Sequence, residues 1–595
     1  MIVVAALAVL LPFLGAVGGL LGPRSVRWAA WVAVVPAAVS AVLAAWLAIG
    51  RARVSGTLTL IETGSLPISV GLDVTELSAL TGVLATVVAL AVQVYSVGYM
   101  RYERRYRSYS AFISLFTSAM LLVVYAADLI VLYVGWEIMG LCSYLLIGHW
   151  WEDRANSRAA VKAFLVTRLG DVGFLFGIFV LGFGAGSFRI DDIITRFPEM
   201  SPATLTVGTL LLLAGVAGKS AQAPLHTWLP DAMAGPTPIS ALIHAATMVA
   251  AGIFVVARLF PVFAAAPGTL TVLGAMAALG MLGAALAALA QDDLKRVLAY
   301  STISQLAIMA GALAARDADA AIFHLLTHGA FKALLFLCAG LVIHRVATNL
   351  MSGMGGLRRV MPITFATMTV GFAALMGLPP ASGFFSKDAA LAAMGEAARG
   401  GVLNTIFYGT ALLTVAVTGA YATRAWLRTF FGPPAVTADD HHTGEGPATM
   451  LWPVVVLAVP ALLLGFAVLT PPHLGTAVLS VALSLLGAGV VYAVWRRDRV
   501  RDPARLLGPL RVPFERAFYV DTVYSTLFVR PVWALARLVV RTDDTVVDGA
   551  VRGSGRTAQG MSGLLRFAQN GNAQVYVSGL LAGLLVIVIG AVVLG

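Results

Sequence analysis

The chain has 595 residues, of which 59% are hydrophobic and only 12% are charged. Its mean hydropathy is +0.88, whereas a typical soluble domain is about 45–50% apolar and about 25% charged. This composition excludes a soluble fold and indicates a chain that lies mostly within a lipid bilayer. The net charge of +11 does not indicate a nucleic-acid-binding protein, because the basic residues lie in loops between apolar runs.

Apolar runs of about 20 residues predict an all-α polytopic membrane protein. The sixteen predicted spans cover approximately residues 3–22, 28–49, 78–100, 109–126, 128–148, 161–184, 204–222, 238–260, 268–290, 297–315, 321–343, 362–394 (interrupted), 403–423, 451–470, 476–495 and 577–594. The first run lacks a charged leading segment, so we expect a retained helix and not a cleaved signal peptide. Arginine and lysine concentrate in alternate loops, which predicts that both termini are extracytoplasmic.

Proline and glycine interrupt two of the predicted spans, and each interruption lies beside a lysine. The seventh span contains GVAGKSAQAPLHTWLPDAMAGPTP, and the twelfth contains MGLPPASGFFSKDAAL. Broken helices are tolerated in a membrane where protein covers them or where they line a cavity. The two spans lie five apart and therefore run in opposite directions. This relationship predicts two inverted five-helix repeats, over spans four to eight and nine to thirteen.

Lysine accounts for only five of the 40 basic residues: Lys162, Lys219, Lys295, Lys332 and Lys387. A desolvated lysine can lose its proton, whereas arginine stays charged in proteins. We interpret these lysines as sites that need a cation able to become neutral. The alternative is that they persist by chance in an arginine-rich chain.

Ionisable residues in the fifth to seventh spans form a candidate proton site. Glu137 lies deep in the fifth span, where an unpaired carboxylate is costly, and Lys219 is its expected partner. Movement of the carboxylate would change the proton affinity of Lys219. Asp171 lies one turn from Arg168, which predicts a local ion pair, although Asp171 can also face the bundle interior. The alternative role of Glu137 is a purely structural ion pair.

The eleventh span carries two histidines and a lysine on one helix face. His324, His328 and Lys332 lie at positions i, i+4 and i+8, which favours a hydrated proton relay because histidine titrates near neutral pH. Two histidines four residues apart also suit a metal, but Lys332 would repel a cation. His244 in the eighth span is a further candidate, and a hydrogen bond to a backbone carbonyl is its alternative role.

The twelfth span offers a terminal proton site at Lys387, with an interfacial ion pair to Asp388 as the alternative. His226 and Asp231 flank the break in the seventh span. A metal-like cluster is better interpreted as a solvated loop: Asp439, Asp440, His441 and His442. We find no dinucleotide fingerprint, Walker loop, nucleophile elbow or cysteine cluster, and therefore expect no cofactor in this chain.

Five segments resemble the antiporter-like subunits of respiratory complex I, and within that family the distal subunit of bacterial NADH:quinone oxidoreductase. The segments are GWEIMGLCSYLLIGHW, TRLGDVGF, GKSAQAPLHTWLPDAMAGPTPISALIHAATMVAAG, DDLKRVLAYSTISQL and AIFHLLTHGAFKALLFL. The resemblance implies two inverted repeats, each with a half-channel. It implies a charged pair of Glu137 and Lys219, modulated by Asp171, and a second-half site at Lys387. The central hydrophilic axis implied by the resemblance comprises His244, Lys295, His324, His328 and Lys332.

The C-terminal stretch beginning ERAFYVDTVYSTLFVRPVW resembles the lateral helix of the distal subunit. About 40 helical residues would reach roughly 60 Å, along neighbouring subunits or on lipid headgroups. Glycine and serine at 553–555 predict an interruption. Five regions follow: 1–77 with N-terminal helices and an extracytoplasmic loop, 78–430 as the antiporter-like core, 431–495 with additional helices, 496–576 as a cytoplasmic-side arm, and 577–595 as a membrane anchor.

The resemblance implies a subunit that couples quinone reduction in partner subunits to proton pumping through the Glu/Lys/His axis. FMN, iron–sulfur clusters and quinone would belong to those partners, and this chain would contain no redox active site. The expected partners are the other membrane-arm subunits, especially neighbouring antiporter-like subunits, and lipid of the bacterial plasma membrane. The alternative function is the large subunit of a multisubunit Na+/H+ antiporter. A non-pumping scaffold and a membrane carbon-uptake subunit are weaker alternatives.

Overall fold

The fold of the chain was obtained as a computed structural model, which describes residues 1–50, 53–62, 67–433, 445–467 and 472–595. Residues 439–442, predicted to form a solvated loop and not a metal site, lie outside these residues. The structure is predominantly helical, so the all-α class is confirmed. The chain forms two compact units, Met1–Phe518 and Tyr519–Gly595.

The first unit contains most of the helices and one β-hairpin. Helices α1–α11 are Ile2–Leu21, Val26–Ile49, Glu76–Tyr99, Tyr106–Tyr125, Leu129–Ile147, Arg154–Ala185, Ile190–Arg196, Pro202–Lys219, Trp228–Asp231, Thr237–Ala245 and Met248–Arg258. Helices α12–α21 are Phe260–Ala264, Pro267–Ala290, Leu294–Ala314, Ala318–Val346, Pro362–Met376, Ser382–Ala398, Val402–Phe430, Ala448–Leu463, Leu474–Arg497 and Arg511–Glu515. Short 3₁₀ segments are Phe197–Glu199, Ala232–Ala234, Met351–Gly353, Leu464–Ala467, Pro503–Leu510 and, at the boundary of the units, Ala517–Tyr519.

Sixteen helical segments of the described chain are long and apolar enough to cross a membrane. The number equals the prediction, but the set differs in two members. It includes Pro503–Ala568, which the sequence predicts as an arm. It omits the twelfth predicted span, because a break divides that span into the shorter helices α16 and α17.

Both predicted helix breaks are present, and a third occurs without proline or glycine. Helix α8 ends at Lys219, and α9 starts only at Trp228. Between α16 and α17, Gly377 has a φ of +74°, a conformation that favours glycine. The unpredicted break separates α10 from α11 at Thr247, whose hydroxyl donates to the Leu242 carbonyl over 2.6 Å. The inverted repeats inferred from the two predicted breaks stay a prediction.

An antiparallel hairpin, β1 (Val54–Glu62) and β2 (Pro67–Val74), lies where the sequence analysis predicts only a loop. Alternating Thr and Leu in its first strand was an available signal for a strand. The carboxylate of Asp73 holds the hairpin to the helical bundle, because it contacts Arg258 at the end of α11 over 3.4 Å.

Helices α6 and α8 approach closely because α6 presents glycines to its neighbour. A Cβ atom at Gly170 would lie 2.6 Å from the Ala214 carbonyl oxygen, and one at Gly173 would lie 2.9 Å from the Ala214 Cβ atom. Small residues of this kind allow membrane helices to pack backbone against backbone. This close approach brings Asp171, which adjoins Gly170, against the end of α8.

The second unit is largely one helical run followed by a terminal helix. Its α-helices α22–α25 are Val520–Tyr524, Arg530–Thr542, Asp548–Ala568 and Ala573–Leu594, with π-helical turns at Ser525–Val529 and Asp543–Val547. Helix α24 passes through residues 553–555, so the predicted interruption there is wrong. An apolar side of the arm comprises Trp533, Leu535, Ala536, Leu538 and Val539, whereas Arg530, Arg537 and Arg541 are polar, and all of these residues are exposed on this chain.

Candidate functional site

A buried ion pair joins the sixth and seventh predicted spans. The Lys219 ammonium lies 3.2 Å from Asp171 Oδ2, and the two side chains are 0% and 1% exposed. The other carboxylate oxygen, Oδ1, accepts a hydrogen bond of 2.6 Å from the Trp136 indole N–H. Because both oxygens of Asp171 have donors, the carboxylate is fixed in position and can compensate the buried ammonium.

Helix α5 forms a cradle around the ammonium of Lys219. A Cβ atom added at Gly140 would lie 2.6 Å from Lys219 Nζ, so glycine at this position leaves room for the ammonium. One turn earlier, the ring of Trp136 lies 5.6 Å from Nζ, within the range of a cation–π contact. The same ring stacks on Phe174 with centroids 4.5 Å apart. The cradle therefore consists of Trp136 and Gly140 of α5, together with Asp171 of α6.

Glu137 does not hold the partner that the sequence analysis assigns to it. Its carboxylate pairs with Arg168, and the predicted pairs Glu137–Lys219 and Asp171–Arg168 are both wrong. The close packing of α6 on α8 turns Asp171 inward, while Arg168, three residues earlier, faces α5. The Glu137 and Arg168 side chains are 20% and 36% exposed on this chain.

The centre of the bundle holds two histidines whose rings lack hydrogen-bond partners among the described residues: His244 and His328. Both are completely buried, and the His244 ring bonds to no backbone carbonyl of the described residues, so the alternative role of this histidine is wrong. The His244 ring lies 4.7 Å from the Phe336 ring. Nearby on α15, the Lys332 ammonium donates to the Leu298 carbonyl over 3.2 Å and to the Ser301 hydroxyl.

His324 links α14, α15 and α17. Its Nε2 atom lies 3.2 Å from Gln305 Oε1, and its Nδ1 atom lies 2.9 Å from Ser386 Oγ. Ser386 also contacts the hydroxyl of Thr327 over 2.6 Å. Ser386 immediately precedes Lys387 in α17. The contact between His324 and Ser386 therefore connects the histidine face of α15 with the helix that carries Lys387.

Lys387 and Asp388 lie side by side in sequence but contact different groups. The Lys387 ammonium reaches back across the break and donates to the Leu375 carbonyl of α16 over 2.6 Å. A cation is favoured there, since the last carbonyls of a helix carry partial negative charge. Asp388 instead accepts from the His473 backbone N–H over 2.7 Å and from the Thr476 hydroxyl over 2.5 Å. The alternative of a Lys387–Asp388 ion pair is therefore wrong.

Lys295 lies at the start of α14, beside the one-turn helix α9 and the 3₁₀ turn after it. Its ammonium donates to the carbonyls of Met233 and Gly235 over 2.6 and 2.7 Å. Asp231 pairs with Lys162 and Arg296, each over 2.6 Å. An open cavity of about 430 Å³ adjoins this cluster. His226, predicted to flank the same break, is partly buried and contacts the Pro224 carbonyl.

Several residues of the site are neutral, and the sequence analysis missed them: Trp136, Gly140, Ser301, Gln305 and Ser386. Each lies within a segment that was singled out, yet serine and glutamine carry no charge and produce no hydropathy anomaly. The arrangement supplies buried ammonium groups, a fixed carboxylate, and histidines connected through hydroxyls. Such groups can bind, hold and pass protons.

Comparison with known proteins places this arrangement in a family. The family described as "NADH:quinone oxidoreductase/Mrp antiporter, TM" matches residues 126–414, and that described as "NADH-Ubiquinone oxidoreductase (complex I), chain 5 N-terminus" matches residues 60–110. The first match contains the candidate proton residues from Glu137 to Lys387.

Relatives match over nearly the whole chain. The chain is 37% identical over 589 residues to "NAD(P)H-quinone oxidoreductase chain 5" of Picosynechococcus sp., covering 89% of this chain and 88% of that protein. It is 38% identical over 561 residues to "NADH-quinone oxidoreductase subunit L" of Mycobacterium tuberculosis, covering 90% and 88%. A solved Mrp complex from Dietzia sp. matches with a TM-score of 0.75 and 26% identity, over 92% of this chain and 63% of that longer chain. The chain therefore belongs to the family of antiporter-like membrane subunits that includes subunit L and chain 5 of the NADH:quinone oxidoreductases.

Proposed function

We propose that this chain is the proton-translocating membrane subunit of an NADH:quinone oxidoreductase. The observation that carries the proposal is a series of buried ionisable side chains that runs through a bundle of this family: Asp171, Lys219, His244, Lys295, His324, His328, Lys332 and Lys387. Buried ionisable groups are expensive within a membrane and usually mark ion or proton pathways.

The first step of the proposed path is proton exchange at Lys219. The ammonium holds its proton while Asp171 lies opposite, because the carboxylate compensates the buried charge. Opening this contact leaves an unpaired ammonium in a low-dielectric interior, which favours loss of the proton. Glu137 lies next to Trp136 in α5, so movement of the Glu137–Arg168 pair would be transmitted to the indole that holds Asp171.

The second half of the path runs through the hydroxyl-linked groups of α14, α15 and α17. Lys332 contacts the Ser301 hydroxyl, and His324 contacts the Ser386 hydroxyl beside Lys387. A hydroxyl both donates and accepts, so it can relay a proton between such groups. The ring nitrogens of His244 and His328 have no hydrogen-bond partner among the described residues. Water molecules would have to connect these two histidines to the path.

The driving energy would come from partner subunits. In this proposal FMN, iron–sulfur clusters and quinone belong to those partners, and the chain itself carries no redox group. The protein would lie in the bacterial plasma membrane with both termini extracytoplasmic, next to other antiporter-like subunits. Residues 78–430 would form the antiporter-like core and residues 496–576 the lateral arm, with lipid and neighbouring subunits as the partners of its apolar side.

A large subunit of a multisubunit Na+/H+ antiporter is the second candidate function. The fold similarity to the Dietzia Mrp complex supports it. The higher identity to oxidoreductase subunits over nearly their whole length favours the first candidate.

Affinity purification separates the two functions. The tagged chain is extracted in mild detergent, and the copurifying proteins are identified by mass spectrometry. We expect flavin- and iron–sulfur-containing dehydrogenase subunits. Recovery of small membrane antiporter subunits alone, with no redox partner, would contradict the proposal and make sodium the next ion to test.

A further inference from the structure

One arginine is completely buried without belonging to the proposed proton path. Arg424 lies near the end of α18, and its side chain is 0% exposed. A buried guanidinium needs both a counter-charge and acceptors for its N–H groups. The structure supplies these from two segments that are distant in sequence.

The counter-charge is Asp502, in the linker that follows α20. Arg424 donates through Nε to Asp502 Oδ1 over 2.7 Å and through Nη2 to Oδ2 over 2.6 Å. This two-bond geometry is the strongest that arginine forms with a carboxylate. Although burial acts to raise the pKa of Asp502, the hydrogen bonds from Arg424 lower the pKa to about 2. The pair is therefore ionised throughout the physiological pH range.

The third donor of Arg424 holds the turn between α13 and α14. Its Nη1 atom donates to the Gln291 carbonyl over 2.6 Å. The Gln291 side chain in turn donates to the Glu515 carbonyl at the end of α21 over 2.8 Å. Arg424 therefore holds the backbone of Gln291, and the end of α21 holds its side chain.

This turn leads directly to a lysine of the candidate site. Asp293 is the N-cap residue of α14, and its carboxylate accepts a hydrogen bond of 3.0 Å from the Arg296 N–H. Lys295 follows within the same first turn of helix. The Lys295 ammonium must reach two carbonyls at once, so its contacts depend on where the turn is held.

We propose that Arg424 and Asp502 are positioning residues that fix the α13–α14 turn and thereby place the Lys295 ammonium. The chain after α20 is then part of the proton machinery through its linker. The inference rests on the proposed function, because it gives Lys295 a role in proton transfer.

Hydrogen exchange on the purified complex tests the physical half of the inference. Asp502→Asn keeps the size of the side chain and removes the charge that compensates Arg424. We expect amides of residues 291–295 to exchange about tenfold faster, the factor that corresponds to about 1.4 kcal/mol. Asp498→Asn is the matched control, since Asp498 lies in the same linker and pairs with Arg505 over 3.0 Å at the surface. Faster exchange confined to the linker, with the turn unchanged, would overturn the inference.

The yield of pumped protons per electron tests the functional half. Asp502→Asn should lose pumping yield while Asp498→Asn keeps it, and a normal yield in Asp502→Asn would overturn the positioning role.

Arg424→Lys is the second variant, because lysine keeps the charge but cannot bond Asp502 twice and Gln291 as well. Failure of both variants to assemble, with Asp498→Asn assembled, would show a role in folding and also overturn the inference. Lys295→Met, measured in parallel, reports on the proposed function itself: normal pumping there refutes that role without touching the exchange result.

Discussion

Lys219 and Asp171 lie 3.2 Å apart in the interior of the bundle. The indole of Trp136 fixes the carboxylate, and the open position at Gly140 makes room for the ammonium. Three helices, α5, α6 and α8, thus supply the lysine and the groups that surround its ammonium. In the proposed mechanism, release of the proton from Lys219 requires the contact between Lys219 and Asp171 to open.

The pairing itself is testable by neutralising one partner or both. Asp171→Asn leaves the ammonium of Lys219 buried without a counter-charge, and breaking a buried pair costs about 3–5 kcal/mol. The double variant Asp171→Asn with Lys219→Met should regain thermal stability, because no isolated charge remains. Glu137→Gln with Lys219→Met is the control and should show no such recovery. Equal recovery in both double variants, measured by thermal unfolding of the purified complex, would refute the pairing.

Gly140→Ala should displace the Lys219 ammonium with little effect on the fold. The added Cβ atom would meet only the flexible end of a side chain, at 2.6 Å. We expect pumping to fall while assembly is normal. Gly409→Ala, on α18 where no atom lies within 4 Å of the added Cβ atom, is the control. Undiminished proton uptake by Gly140→Ala vesicles would show that the cradle does not set the lysine position.

Trp136→Phe separates the indole hydrogen bond from the packing of the ring. Phenylalanine retains stacking on Phe174 but cannot donate to Asp171. The loss of a hydrogen bond to a charged group costs about 1.5–3 kcal/mol, and we expect slower pumping with an altered pH profile. A profile superimposable on that of the unmodified protein would assign Trp136 a packing role alone.

Ser386→Ala tests the link between the histidine face and Lys387. It removes the hydroxyl that lies 2.9 Å from His324 Nδ1, and pumping should decline with assembly retained. Ser480→Ala is a suitable comparison, because within the described part of the chain the Ser480 hydroxyl bonds only to the Ala477 carbonyl of its own helix. If the two variants pump equally well, the proton does not pass through Ser386.

The sequence predicts the helical class and two breaks because proline, glycine and long apolar runs act locally. It also identifies the buried lysines and histidines, since charge within an apolar run is conspicuous. The break at Thr247 has no proline or glycine to mark it, and the contact of the Thr247 hydroxyl with the Leu242 carbonyl is visible only in the folded chain.

Partner assignment was the part that the sequence could not give. Spacing along α6 suggests Asp171 as the partner of Arg168, but the glycine-mediated packing of α6 on α8 turns the carboxylate toward Lys219. Arg424 illustrates the same point. In the sequence Arg424 resembles the other arginines of the loops. Its counter-charge, Asp502, lies 78 residues further along the chain.

The most direct test of the account is proton uptake by Lys219→Arg in inverted membrane vesicles, measured per electron transferred. Arginine keeps the positive charge beside Asp171 but cannot release its proton. The account predicts an assembled complex that has lost most of its pumping yield. Pumping at the normal yield would contradict it, because a permanent cation at this position would then be sufficient.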